Sequence, residues 1–570
     1  TQSRSSAASD VYKRQPRASV NLEKAEGYTH FIDQLKSSKT EFDSHLFSII
    51  ARNYFDKSSN HIKPKTLFNG DPFNFGFCGL GPAIVGFASW IYNEAVSAGI
   101  SDIFFLSRDG LIAKSVYDRL YGSIPGAPVS HYIYASRRAA RVSTIYCLAD
   151  IHEIAKKFIY STTIQDYLWS RFGLPKGSVS DTHIQQFGFT GGSQPIGGKT
   201  SKDAILGLVE SLQQQILDRA TYERDAYHSY LENSGLLSAK SAALVDIGYA
   251  GSMQAAIQRI TGKNLLGLYF ATFTSARNEA LDVNDMRGYV GNLVPSDGTA
   301  LGIQTHRFIY ESIFCAPHDS FVCIENTDGK LIPTFDEGDN DNLRRTLITQ
   351  IHGGVEALAS TIADETADTR LIKIEPQSST RILDHWLVNP TIDDALVLEG
   401  LRFHDPVGPS SIRYIVPPRE IRTADNIQAI SIWKEGLKAV LRLKGAPNPA
   451  PANTTIKPAP SKAPAPAKVA PAKSAPAKPS SVTVAKLPAS VQKIEPATQS
   501  VVANAPDYDL RLKRKNLVTL LIHPFEKRII LKTCNDKKIQ KYIRDRRKFF
   551  ADAKGPMTRI YGKCSSVFFS

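Results

Sequence analysis

SDIFFLSRDGLIAKSVYDRL, residues 101–120, decides the fold class. Asp102–Leu106 is apolar at successive positions rather than at alternate ones, the mark of a strand covered on both faces. A tight Ser107-Arg108-Asp109-Gly110 turn follows, then a helix from Leu111 to Leu120. Upstream, Gly81-Pro82 opens an apolar-periodic helix (Ile84, Phe87, Ala88, Ile91, Ala95), with Pro at its first position and Gly99 just past its end. Downstream, His131–Ala135 (HYIYA) reads as a second strand, residues 151–240 as mostly helical, and Ala242–Asp246 (AALVD) as a third strand. Through Ile247–Gly251 that strand leads into a helix at Ser252–Ile260, and a strand at Leu265–Phe270 follows. Strands alternating with helices predict an α/β fold, a mostly parallel sheet flanked by helices with helical insertions.

The rest of the 570 residues divides by composition. Residues 16–70 are an N-terminal helical segment, 71–321 the α/β domain, and 322–444 a less regular helical extension packed on it. Residues 445–506 hold 13 of the 32 prolines in Pro-Ala-Lys repeats and read as a disordered tether. Residues 507–570 form a basic amphipathic tail. Lys plus Arg less Asp plus Glu is 69 − 55 = +14. The tail carries 17 − 6 = +11 and the tether 7 − 1 = +6, which leaves −3 for the first 444 residues. That placement argues against a nucleic-acid-binding body and for a tail that meets an anionic surface. Ile539, Tyr542, Ile543, Phe549 and Phe550 make an apolar stripe among Lys and Arg, suited to an anionic bilayer; a solvated basic helix is the plainer alternative. No run of apolar residues is long enough to span a bilayer uninterrupted. The six cysteines form no CxxC pair, and no apolar leader core opens the chain. The expected address is the cytoplasm, peripheral on the inner face of the cytoplasmic membrane. The opening TQSRSSAASDVYKRQ, residues 1–15, back-translates at DVYKRQ to a transposase sequencing adapter. It reads as an assembly artefact, leaving what precedes Pro16 out of view.

In open α/β sheets ligands bind at the carboxyl ends of the strands, near the switch in strand order. Three strand ends here carry chemistry. Ser107–Gly110 brings backbone N–H groups to a helix start, suited to a phosphate or pyrophosphate. Arg108 adds a forked donor, and Asp109 is placed to hold Mg²⁺ through water. The alternative is an ordinary turn with a capping Asp. Ser136-Arg137-Arg138 offers two guanidinium groups for a polyanion, against the plainer reading of a solvated pair. Asp246-Ile247-Gly248-Tyr249-Ala250-Gly251-Ser252 ends a hydrophobic strand with an acid. Its two glycines let the backbone close on a monophosphate, with Asp246 accepting bonds from sugar hydroxyls.

GLGPAIVGFASWI (79–91), IFFLSRDG (103–110), YIYASRRA (132–139) and VDIGYAGSMQ (245–254) resemble the conserved blocks of bacterial glycan phosphoribosyltransferases from capsule and O-antigen gene clusters. Members often carry the description of HAD-superfamily hydrolases, because a HAD phosphatase domain is frequently fused ahead of these blocks. The resemblance covers roughly residues 75–320. It implies a type I phosphoribosyltransferase-like fold and transfer of 5-phospho-ribofuranose from phosphoribosyl pyrophosphate (PRPP) to a lipid-linked polysaccharide. Mg²⁺ would be the cofactor, and a separate or fused HAD phosphatase a partner. It further implies that Ser107–Gly110 is the pyrophosphate loop, and that Asp246 with Gly248–Ser252 is the PRPP loop. Arg137 or Arg138 would neutralise the departing pyrophosphate, and Asp109 and Asp246 would serve the metal. The usual motif has two adjacent acids and a Thr-Gly-x-Thr turn; here the second acid is Ile247 and the turn is Tyr-Ala-Gly-Ser.

For a general base, His306, Glu311 and His318 in HRFIYESIFCAPHDS are candidates, each more plainly read as a satisfied core or rim residue. Two other function classes compete. A HAD-type phosphatase needs DxDxT, which residues 16–102 lack. A non-enzymatic scaffold of a capsule assembly complex would act through the tether and tail.

Overall fold

The computed structural model describes Asp33 and residues 40–55, 62–63, 66–279, 281–336, 341–403 and 412–442. The expectations for residues 1–15, for the tether and for the basic tail lie outside them.

The structure is α/β. Five strands, β1 (Asp102–Leu106), β2 (Val129–Ile133), β3 (Ala242–Asp246), β4 (Leu266–Phe273) and β5 (Met286–Val294), form one sheet in the order β2-β1-β3-β4-β5. Every neighbouring pair is parallel. β1 and β3 occupy its middle, and their side chains divide by the twofold period of a strand between two cores. Ile103, Phe105, Ala243 and Val245 face one core with Leu268 and Phe270. Phe104, Leu106, Ala242 and Leu244 face the other. All but Ala242 are wholly buried, each large side chain contributing about 1.5–3 kcal/mol, which is why these strands read as unbroken apolar runs.

On the first face lie α1 (Gly81–Ser97) and α2 (Gly110–Tyr121). The α1 helix has Pro at its start, a π-helical lead-in at Phe75–Leu80, and Gly99 at φ +65° just beyond its end. With its lead-in it is long and apolar enough by composition to cross a bilayer, yet 94% of its most apolar window is buried in this core.

Residues after β2 form α3 (Arg137–Ser143), α4 (Leu148–Lys156), α5 (Ile164–Phe172), α6 (Lys202–Ser211) and α7 (Gln213–Asn233), matching the helical expectation for 151–240. Much of this stretch closes around a core of its own, from Val142 to Ala220. After β3 comes α8 (Ser252–Thr261), whose Ile257 enters the second core.

The 321/322 boundary expected between domain and extension falls at the start of a hairpin, β6 (Phe321–Thr327) and β7 (Lys330–Phe335). Asp328 and Gly329 turn it at φ +52° and +80°. Beyond it, α10 (Asn342–Glu365) and α11 (Pro376–Val388) pack into the first core with residues 46–55, 67 and 68, as does α9 (Gly302–Phe314) ahead of the hairpin. Asp43, wholly buried, accepts hydrogen bonds from Ser378 (2.9 Å) and the Glu375 N–H (3.3 Å), tying the N-terminal segment to α11.

β2 starts and ends two residues earlier than expected. Tyr134 and Ala135 leave the ladder because side chains take their backbone groups. The Tyr230 hydroxyl accepts from the Tyr134 N–H (2.8 Å), Tyr227 donates to the Tyr134 carbonyl (3.0 Å), and Ser107 takes both groups of Ala135.

Candidate functional site

The crossover after β1 carries α2 to the first core, and the connection after β3 carries α8 to the second. Two adjacent parallel strands whose chains depart to opposite faces leave a crevice at their carboxyl ends. Its walls are Ser107–Asp109 and Ile247–Gly251.

Ser107 is buried, and its hydroxyl donates to the Ala135 carbonyl while accepting the Ala135 N–H, each at 2.9 Å. Its side chain therefore clamps β1 to the segment after β2. The Ser107–Arg108 and Gly248–Tyr249 peptide bonds are cis, one in each loop. Asp109 stands just ahead of α2 but makes no capping bond, so it is not the ordinary capping Asp. Burial raises its carboxyl to about 6, against the pull of Arg108 and then Arg137. Gly110 lets the helix start approach Phe105, whose backbone would lie 3.1 Å from an added Cβ.

Asp246 is 4% exposed, and one carboxylate oxygen accepts the Ile247 N–H at 2.8 Å. Burial raises its pKa well above the ordinary carboxylate range. Asp109 and Glu311 push the same way, and the Ile247 bond and Arg137 oppose. The loop then runs along β4: Ala271 donates to the Ile247 carbonyl (3.1 Å) and Phe273 to that of Tyr249 (2.9 Å). Gly248 between them sits at φ +145°, with the Ala271 carbonyl 2.4 Å from where a Cβ would be. Glycine alone fits. Tyr249 stacks on Phe273 at 4.4 Å and donates to the Arg307 carbonyl at 3.4 Å. Ala250 is half-buried, Gly251 takes φ +75° at the α8 start, and Ser252 is exposed there.

The two arginines of Ser-Arg-Arg separate. Arg137 is exposed and makes no hydrogen bond or ion pair with a described residue, yet its charge bears on Asp109, Asp246 and Tyr249. Arg138 instead binds Glu223, itself 1% exposed and also bound by Arg219 at 2.7 Å. Its guanidinium lies 4.2 Å from the Trp169 ring centre. Arg138 holds α3 to α7 and is spoken for. Glu223 gave no sign of this in sequence, being one acid among many on a polar helix.

α9 closes the crevice from above. Midway along it the Arg307 carbonyl takes the Tyr249 hydroxyl; just past its end the Ala316 N–H donates to the Arg108 carbonyl at 3.2 Å. Glu311 lies between those anchors, one from each loop, and its charge reaches Asp246 and Tyr249. Of the three base candidates, it alone acts on both Asp246 and Tyr249. His306 pairs with Glu435 (3.5 Å) at a kink in α9. His318 is held between Tyr132 (2.7 Å) and the Asp319 carbonyl (2.9 Å), with burial lowering its pKa.

No group of three or more His, Cys, Asp or Glu that could hold a metal occurs among the described residues. What the crevice offers is two carboxylates that burial raises, Asp246 further by the charge of Asp109, an arrangement a cation brought in by an anionic substrate would relieve. No protein-family model matches the chain, and no curated protein matches it in sequence.

Proposed function

We propose that the chain is a glycan phosphoribosyltransferase, moving 5-phospho-ribofuranose from PRPP to a hydroxyl of a polysaccharide acceptor. One observation carries the reading: the loops after β1 and β3 meet at the sheet's switch point, with Asp109, Asp246, Arg108, Arg137 and Glu311 bearing on one crevice. In this reading the α8 start and Gly248–Ser252 receive the 5-phosphate, Asp246 accepts from the ribose hydroxyls, and Arg108 and Arg137 receive the diphosphate. Mg²⁺ bound to the diphosphate would be held by Asp109 and Asp246 and would stabilise charge on the leaving group. The bond from the anomeric carbon to pyrophosphate breaks and its electron pair leaves with pyrophosphate. The acceptor oxygen bonds to that carbon and gives its proton to Glu311.

A phosphatase of the HAD type finds less support. After either strand-end acid, the position two residues on is Leu111 or Gly248, and at Gly248 no side chain fits. A scaffold reading leaves Asp246, buried beside the charge of Asp109, without a purpose.

The test is product analysis with PRPP, Mg²⁺ and a panel of oligosaccharide acceptors. Acceptor-stimulated release of pyrophosphate, cut at least a hundredfold in Asp246→Asn, is expected. Release of inorganic phosphate without pyrophosphate, or full activity in the variant, overturns the assignment.

A further inference from the structure

Arg137 and Arg141 stand four residues apart on one face of α3, a spacing at which like charges repel. Arg141 reaches across to α5 and donates to the Ser170 carbonyl at 3.1 Å. The next residue, Arg171, is 7% exposed and donates to the Phe158 carbonyl at 2.9 Å. Three guanidinium groups thus step from the rim of the crevice into the helical insertion. No carboxylate among the described residues pairs with any of them.

The carbonyls come from the last turn of α5 and from just beyond α4, so Arg141 and Arg171 answer helix C-termini. Such termini carry about half a negative charge each, which orients a guanidinium without neutralising it. The contrast with Arg138 and Arg219 is direct, because those two are met by Glu223 and Glu325. Burial, then the charges of Arg171 and Arg137, push the Arg141 pKa down to about 10, so the repulsion is felt within the folded chain. Buried charge without a counter-charge is costly, and the fold that supplies a carboxylate to Arg138 supplies none here.

We propose that Arg141 and Arg171 form an anion subsite beside the donor crevice that takes a phosphate group of the acceptor. The assignment to the acceptor rests on the phosphoribosyltransferase reading; the anion site itself does not. Forked, permanently charged donors suit phosphate oxygens, and the track begins at Arg137, where donor and acceptor would meet.

Calorimetric titration of the full chain with inorganic phosphate, alone and after saturation with PRPP and Mg²⁺, tests it. Phosphate is expected to bind in both conditions, at least tenfold more weakly in Arg141→Gln and Arg171→Gln, and within threefold of wild type in Arg141→Lys. Should one Gln variant fail to fold, the other carries the test. Phosphate binding that disappears on PRPP saturation would assign the arginines to the donor diphosphate and overturn the acceptor subsite. Binding that is absent, or indifferent to all these substitutions, overturns the anion site. Arginine-dependent phosphate binding with no PRPP binding would remove the donor reading and leave the anion site standing.

Discussion

Arg137 and Arg138 are neighbours in the chain and belong to two kinds of charge cluster. Around Arg138 the charges balance. Glu223 takes Arg138 and Arg219, Glu325 takes Arg219 (2.8 Å) and the Tyr222 hydroxyl (2.8 Å), and Trp169 covers the guanidinium. Despite burial, hydrogen bonds from Arg219 and Tyr222 hold Glu325 below its ordinary value. Around Arg137 the charges do not balance. Asp109 and Asp246 are both raised by burial, and each feels Arg137 without a salt bridge to it. Groups that satisfy one another hold α3, α7 and the β6–β7 hairpin together. Groups forced together unsatisfied mark the place where a ligand completes the balance.

If that contrast is right, the balanced cluster should dominate stability. Replacing Glu223 with Ala strands the Arg138 guanidinium and takes one of two carboxylates from Arg219, and should cost about 3–5 kcal/mol in urea unfolding; a loss under 1 kcal/mol would mean the network is ornamental. The Ser107 clamp comes next. Ser107→Ala leaves the buried Ala135 N–H and carbonyl without their partner and should cost about 1–3 kcal/mol. No loss would return Ser107 to the ligand.

The crevice should respond in the opposite sense. The Asp109 carboxyl titrates near 3.8 when unfolded and about 6 when folded, so the folded chain holds that proton more tightly. Its contribution to stability is therefore lost as pH rises from about 4 through about 6. Asp109→Asn should gain stability relative to wild type across that window, by on the order of 1–3 kcal/mol. Parallel pH profiles of the two unfolding midpoints would contradict it. Smallest on stability is Arg137→Gln, expected within about 0.5 kcal/mol because the side chain is exposed and unpaired. PRPP affinity should nevertheless fall at least tenfold in binding titrations; unchanged affinity would move Arg137 out of the donor site.

Much of this was legible in sequence. DIFFL and AALVD form strands at the expected residues because unbroken apolar runs suit central strands covered on both faces. The site loops were legible for the same reason, since strand ends locate themselves once the strands are found. Less was visible where pattern yields to tertiary contact. β5, MRGYVGNLV, is edge-placed, glycine-rich and only partly buried, so it carries no apolar run. The Asp328-Gly329 dipeptide is a readable hairpin-turn signal, but the strands it joins are only partly buried and carry no apolar run. That Arg137 faces the crevice while Arg138 pairs with Glu223 could not be read at all. It depends on where α7 crosses α3, 85 residues away in sequence.

The central claim is that Asp246 sits in a donor site rather than in a structural network. Calorimetric titration of the full chain with PRPP, with and without Mg²⁺, against Asp246→Asn tests it most directly. Saturable, Mg²⁺-dependent binding is expected in wild type, with its loss in a variant that unfolds no earlier than wild type. Equal PRPP binding by both proteins, or none by folded wild type, would contradict it.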